Sequence, residues 1–491
     1  MFNPCKDNKQ ISRRGLLHRG LWVTAAAAFP RVPGLWAAEI NPVMARLSAY
    51  MSEARNRALP EDAVEKAKQH ILDTFAAMIS GSELAPGRAA VNFANRYGGE
   101  KIATVLCSNR LCGPLEAAIA NGVLAHSDET DDAHTASLSH PGCAVIPAAL
   151  AVGEKFGVNG TQFLRAVVLG YDVGTRVVAG LGGAPLQNES HRSTHSFAGI
   201  FGAAAAAGCN ANLTTQQMRW VLDYTAQQCS GIAAWQRDTQ HIEKGFVYAG
   251  MPARGGVTSA LLVQSGWTGV DDILSGADNF LDAYALHANP DGLVEKLGER
   301  YEVTQTDIKK WTVGAPIQAP LDALESLLKK HHFNADQVQQ VTVRVGTTPA
   351  KVVSNREMPD ICLQHMFAVM LLDKTATFKA AHDLERMKDP EILRQRAKVQ
   401  LIGEEELERL LPRRVAIVEV TLTDGTKLTE RVDAVRGTPA NPMTREEIVT
   451  KARDLIAPVL GAPTAGKLID NIFDIENVKD IRELRPLLQK S

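Results

Sequence analysis

Between Asn121 and Gly142 the chain gathers His126, His134 and His140 with Asp128, Glu129, Asp131 and Asp132, in surroundings of mainly small and apolar residues. Carboxylates and imidazoles whose pKa values are set apart by environment can act as acid and base on one substrate. A solvated acidic loop would need no histidines. Nor would it normally resume straight into the apolar run Cys143 to Val152 (CAVIPAALAV). A metal cage is chemically sensible, because imidazole and carboxylate together suit zinc, iron or manganese. The segment lacks the two-histidine helical spacing of familiar zinc enzymes, however. Proton transfer is the reading that uses all of these residues. If the helix preceding the cluster runs on, the acids arrive at its C-terminal end, where the macrodipole disfavours anions. Stability alone would not select that placement.

The elements that must position this cluster read as helices. Pro114 to Ala125 carries apolar residues at Leu115, Ala118, Ile119, Gly122, Val123 and Ala125, the spacing of a buried helix. Pro42 to Arg55, Pro60 to Ser80 and Gly87 to Tyr97 precede it. Cys143 to Phe156, Thr161 to Ala179, Ser196 to Cys209 and Thr215 to Trp235 follow, with no convincing strand among them. After about Asp271 the pattern changes. Val338 to Val345 and Val399 to Ile402 alternate as strands do, and Val415 to Leu422 joins Lys427 to Val432 through Asp424-Gly425 as a hairpin. Helices are expected between them at Pro316 to Lys330 and Asp360 to Leu372, while the charged run Gly403 to Arg414 reads as a solvated helix and loop. Thr444 to Glu447 is a capping box opening a helix through Val459, and Lys467 to Leu488 adds further helical pattern. The expected fold is mainly α: a helical domain (39–272) completed by the chain's end (436–491), with a smaller α+β unit (273–435) inserted.

A length of 491 residues suffices for two or three domains, and a formal net charge of -2 gives no basic footprint for nucleic acid. No basic amphipathic helix suggests a peripheral membrane role. The seven cysteines are scattered without a C-x-x-C pair, which argues against an iron–sulfur cluster. Most sit in apolar runs, where a buried free thiol is expected.

Several motifs in order resemble the MmgE/PrpD family, which includes 2-methylcitrate dehydratase and cis-aconitate decarboxylase. They are Asn121 to His134 (NGVLAHSDETDDAH) with Ser139 to Glu154 (SHPGCAVIPAALAVGE), Leu169 to Thr175 (LGYDVGT), His195 with Phe201 to Ala206 (FGAAAA), and Lys244 with Met251 to Ala260 (MPARGGVTSA). The resemblance runs from about residue 42 to the end. It implies a large helical domain with a lid-like α+β domain, a homodimer, no metal or other cofactor, and a small polycarboxylate substrate. Glu129 matches a family aspartate and is expected as general base or proton shuttle. Asp131 and Asp132 match the next two acids, with Asp132 among the catalytic candidates and one of the two orienting a histidine or capping the loop. His140 and His195 match the family histidines, with His191 as a fallback for the latter, and Lys244 matches the lysine that approaches the substrate.

This chain also departs from the family pattern. Ala133 stands where relatives often carry threonine, and His134 is expected to substitute as donor. Arg254 is a candidate carboxylate clamp. Lys310-Trp311 occupies the place of a K-x-Y-P-like segment, making Trp311 a candidate substrate contact without the tyrosine hydroxyl. The implied reaction is dehydration of a 2-methylcitrate-like hydroxy acid. Decarboxylation or isomerisation of an aconitate-like acid, or an idle polycarboxylate binder, are the alternatives; a metal-dependent hydrolase is a third class.

Ser12-Arg13-Arg14-Gly15-Leu16-Leu17, a weakly apolar stretch from Gly20 to Phe29 and then Ala37-Ala38 resemble a twin-arginine export signal over residues 1–38. The apolar run falls short of the roughly twenty residues that cross a bilayer. A periplasmic location is therefore expected, with no membrane attachment once the signal is removed.

Overall fold

The computed structural model describes residues 40–490, so the export motif lies outside the described residues. The fold is mainly α. Its larger core is built from side chains between Met44 and Ile308 and again between Met443 and Leu488, so distant parts of the sequence share one interior. A second apolar cluster runs from Trp311 to Val435. Side chains of the segment 273–308, such as Phe280, Leu293 and Val303, belong to the larger core. The change of core thus falls between Ile308 and Trp311, later along the chain than the expected break at 272/273.

At the centre lies the Thr194–Asn210 helix, which is buried over its whole length. A helix apolar on every face needs neighbours all round. The Gly142–Phe156, Gly160–Gly180 and Met251–Gln264 helices supply them. Runs of Ala and Gly let these helices approach almost backbone to backbone. A Cβ on Gly256 would lie 2.4 Å from the Ala204 amide nitrogen and 2.7 Å from the Ala203 carbonyl carbon, neither of which can swing aside. Gly256→Ala should therefore destabilise the fold by about 1–3 kcal/mol, the usual cost of overpacking, read as a lower thermal midpoint.

The helices begin where local chemistry dictates. Asn159 and Thr214 cap their helices through side-chain oxygens, and Thr444 with Glu447 forms the expected capping box. The helical stretch expected over Thr215 to Trp235 is shorter, ending at Gln228, with a separate 3-10 turn at Ala233–Arg237. One element escaped the pattern: a two-residue antiparallel pair, Ala103–Thr104 with Leu111–Cys112, too short to show alternation.

The second cluster is formed by a four-stranded sheet in the order Val399–Glu404, Val338–Gly346, Ala416–Leu422, Lys427–Val432. The first two strands are parallel and the others antiparallel. A parallel pair requires a crossover, and the Leu363–Asp373 helix lies within the connection. Gly425, at φ 87°, turns the expected hairpin. The Ala315–His331 helix packs on the two antiparallel strands. No helix among the described residues is long and apolar enough to cross a membrane. The six described cysteines are all buried free thiols.

Candidate active site

The Pro114–Ala125 helix stops before the acidic cluster, with His126 as its C-cap and Ser127 next before Asp128. The acids therefore occupy a loop. This loop is buried from His126 to His134. Buried charges must be paired, and the pairing defines the site.

Glu129 is held by three cations or potential cations. The Lys244 ammonium contacts Oε1 directly, Lys309 Nζ lies 3.7 Å from Oε2, and His241 Nε2 lies 3.9 Å from Oε1. Lys309 also donates to the Glu129 carbonyl oxygen at 2.8 Å. Burial alone would raise the Glu129 pKa, but the ammonium groups of Lys244 and Lys309 outweigh it and hold the carboxyl well below its usual range. Asp131 lies between two imidazoles, 2.9 Å from His126 Nδ1 and 3.2 Å from His140 Nδ1. Despite burial, those two rings keep it ionised. It fixes the orientation of both.

His140 immediately precedes the Gly142–Phe156 helix, and His195 sits in the first turn of Thr194–Asn210. The positive end of a helix disfavours imidazolium. Burial is the larger cause: it lowers the pKa of both histidines, and for His195 the nearby His140 and Lys244 lower it further. The two ring centroids are 5.3 Å apart. His195 stacks on Tyr248 at 3.7 Å and meets Trp235 edge-on, leaving Nδ1 without a hydrogen-bond partner among the described residues. Tyr248 also stacks on His126 at 4.6 Å, so one phenol ring aligns both histidines.

Tyr248 belongs to a π-helical segment, Phe246–Gly250, that follows the short helix carrying Lys244. Such insertions re-aim side chains and are frequent at functional sites. Gly122 permits the close approach here, since a Cβ would lie 2.9 Å from the Ala249 carbonyl carbon.

Glu129, His140, His195 and Lys244 therefore come together as expected from the sequence. Asp132 does not join them. It accepts from His70 Nδ1 at 3.0 Å, from the Tyr171 hydroxyl and from the Gly142 amide at 3.1 Å, capping the helix behind the site. With every oxygen committed inside the core, its place is that of a positioning residue and not of a catalytic one. Asp132→Asn should destabilise the fold by about 3–5 kcal/mol, the cost of a broken buried pair, read as a lower thermal midpoint, with kcat reduced less than by changes at Glu129 or His195.

The three expected substrate contacts also lie elsewhere. His134 points its Nε2 to Glu302 at 3.4 Å, on the wall of a separate cavity. Arg254 is exposed on the Met251–Gln264 helix and makes no ion pair among the described residues. Trp311 is buried in the second core, its indole N–H donated to Asp322 at 2.9 Å, and Lys310 pairs with Glu325. The lysine that reaches the centre is the neighbouring Lys309. The fallback His191 lies at the end of the Pro185–Ser190 helix with left-handed backbone.

Sequence reasoning missed Lys309, His241, Tyr248 and the pair His382 and Asp360. His241 and Lys244 are three apart, a spacing that places side chains together on a helix, and that was the available signal. His382, from the second cluster's part of the chain, reaches Asp128 with Nε2 to Oδ2 at 3.0 Å. Burial opposes its protonation, but the Asp128 carboxylate raises its pKa to about 9. Burial pushes Asp360 up to about 7.

Two overlapping sets, His126–Asp131–His140 and His126–Glu129–His241, each bring three donor atoms within 4.8 Å. Nitrogen and carboxylate donors of this kind suit a divalent transition metal. Lys244 and Lys309 already neutralise Glu129, and Lys309 lies 3.8 Å from Asp131, so an added cation would have to displace these ammonium groups.

Known proteins align with the chain nearly end to end. It is 24% identical to the cis-aconitate decarboxylase-like protein oryM of Aspergillus oryzae, across 91% of this chain and 97% of that protein. It is 26% identical to cis-aconitate decarboxylase of Homo sapiens, across 88% and 91%, and 25% identical to that of Mus musculus, across 88% and 90%. The MmgE/PrpD N-terminal domain matches residues 45–292 and the MmgE/PrpD C-terminal domain matches residues 311–474, and the chain belongs to this family.

Proposed function

We propose that this chain is a lyase that moves a proton next to a carboxylate of a small polycarboxylate, and that its reaction is dehydration of a 2-methylcitrate-like hydroxy acid. The observation that carries the reading is the neutral, buried His195 imidazole with an unpartnered nitrogen, set close to the Lys244 ammonium. A neutral imidazole can take a proton from the carbon beside a carboxylate. The C–H pair becomes the new double bond, the C–O bond breaks, and the hydroxyl leaves as water with a proton from Lys244 or an imidazolium. Ammonium groups in a dry site offset the charge that develops on the substrate carboxylate. Glu129 serves to hold the Lys244 and Lys309 ammonium groups in place. In this reading the unit built around the second cluster is a lid, and the His382–Asp128 contact is where it meets the acidic loop.

Decarboxylation is the second reading, favoured by the activity named for the human and mouse relatives. There the bond between carbon and a carboxylate breaks, carbon dioxide leaves, the pair shifts, and a protonated group delivers the proton to carbon. The test is to incubate the purified protein with citrate-like and aconitate-like acids, following double-bond absorbance together with released carbon dioxide. Absorbance change without gas supports dehydration or isomerisation, and stoichiometric gas supports decarboxylation. Silence across the panel would leave the proposal of a lyase without support. The twin-arginine resemblance adds a periplasmic location to the proposal, and the family resemblance adds a homodimer; cell fractionation and sedimentation test these two.

A further inference from the structure

A cavity of about 520 Å³ opens beside the centre but is not part of it. Its volume falls within the roughly 300–1,000 Å³ of small-molecule sites. Lys309 forms the partition: its side chain lines the cavity while its ammonium is bonded to the Glu129 carbonyl on the other side. The walls combine apolar surface from Ala133, Ile308 and Val435 with guanidinium groups. Four arginines line it, alongside the carboxylates of Glu302, Asp307 and Asp433, and Arg413 is exposed to solvent on the Asp433 side. Arg300 pairs with Glu295 and Glu302, and Arg436 with Glu447.

Arg414 differs. It has no ion pair within 4 Å among the described residues, and its one side-chain contact is a long one, 3.5 Å, to the Thr135 hydroxyl. Thr135 in turn donates to Asp307 at 2.9 Å, so this carboxylate, the charge that acts most on Arg414, is already engaged by a hydroxyl and makes no hydrogen bond to the guanidinium. A guanidinium left with free donors against a cavity is matched in geometry to a carboxylate. His134, on the same wall, is the expected substrate donor that proved to lie outside the Glu129 cluster.

We propose that this cavity is a second binding site, taking a small di- or tricarboxylate whose carboxylate is held by Arg414 and whose carbon skeleton lies on the apolar wall. It goes beyond the lyase reading, since it requires two anions per chain, one on each side of Lys309. The experiment is calorimetric titration of the full chain with propane-1,2,3-tricarboxylate, which has neither hydroxyl nor double bond to react. The wild type should bind two equivalents. Arg414→Gln should weaken one of them at least tenfold, and Lys244→Gln the other. Ala440→Trp, on the exposed rim of the cavity, should block the same equivalent as Arg414→Gln and decides the matter if the latter fails to fold.

Wild-type binding that survives both cavity variants, whether of one equivalent or of two, overturns the proposal. If the cavity variants each remove one equivalent while Lys244→Gln removes none, the second site stands and the lyase reading loses its anion site. Inorganic phosphate displacing the cavity equivalent as readily as the tricarboxylate would overturn the assignment to a carbon-bearing acid.

Discussion

Glu129→Gln should lose turnover by about 10²–10⁴-fold, the range that general acid–base catalysis supplies, because the Lys244 proton donor is no longer held in place, while ligand capture survives. The substitution keeps shape and removes the anion that Lys244 and Lys309 share. Freed of that partner, both ammonium groups remain available to a substrate carboxylate, so KM should stay level or fall while kcat drops. A lowered kcat with unchanged or lower KM marks an interaction used in the transition state and not in binding. The cost to the fold should also be visible. Lys309 is almost fully buried and would lose one of its two carboxylate partners, keeping Asp131 at 3.8 Å, so the cost should fall below the roughly 3–5 kcal/mol of a buried charge left unpaired. Steady-state kinetics with a thermal melt on the same sample separate the two effects. Turnover within a few-fold of wild type would remove Glu129 from the mechanism, and a variant that binds normally from a wild type that never turns over would identify an idle binder.

The sequence was most legible where a periodic pattern ends on turn or capping residues. The helix at Pro114–Ala125 and the strand at Lys427–Val432 have the expected bounds because apolar period and turn residues coincide there. Glu129, His140, His195 and Lys244 were readable because they lie beside helix boundaries marked by composition. Lys309 was not, because Lys309-Lys310 offers two adjacent ammonium groups and only the tertiary fold decides which one turns inward. Asp132 was misread for the opposite reason. A carboxylate inside an acidic run looks like its neighbours, yet the Tyr171 hydroxyl and the Gly142 amide that claim it are distant in sequence or hidden in a helix start. Trp311 followed from its place in a motif, whereas its burial depends on Asp322 arriving from the next helix to accept its N–H. Ala133 and His134 follow Asp131 and Asp132 directly in the same loop, yet both line the cavity on the other side of Lys309.

The pH profile should be displaced toward acid relative to an ordinary histidine enzyme. If His195 is the base, kcat/KM requires its neutral form, and activity falls only as pH drops through the folded-state pKa. That value lies well below 6.5 because burial first, and His140 and Lys244 next, disfavour the imidazolium. The rate should therefore stay level through pH 6.5 and decline only at lower pH. Lys244→Met removes one of those positive neighbours and should move the acid limb back toward 6.5 in whatever turnover remains, whereas a merely structural lysine would lower the rate without moving the limb. His195→Asn should abolish the limb along with about 10²–10⁴-fold of the rate.

The same depressed values carry a stability consequence. His140, His195 and His241 are all neutral and buried in the folded chain, with pKa values below that of the unfolded state. Below pH 6.5 the unfolded chain binds protons that the folded one refuses, so stability present above that pH is lost as pH falls toward the folded values, at about 1.4 kcal/mol per pKa unit for each group. Carboxylates such as Glu129 and Asp131, held below their usual range, lose their contribution only at more acid pH. Acid unfolding should accordingly begin between pH 6.5 and 4, earlier than carboxylate protonation alone would cause. His195→Asn should shift the onset downward by removing one of the three groups, and an unchanged onset in that variant would show that the imidazole is not held neutral in the native site.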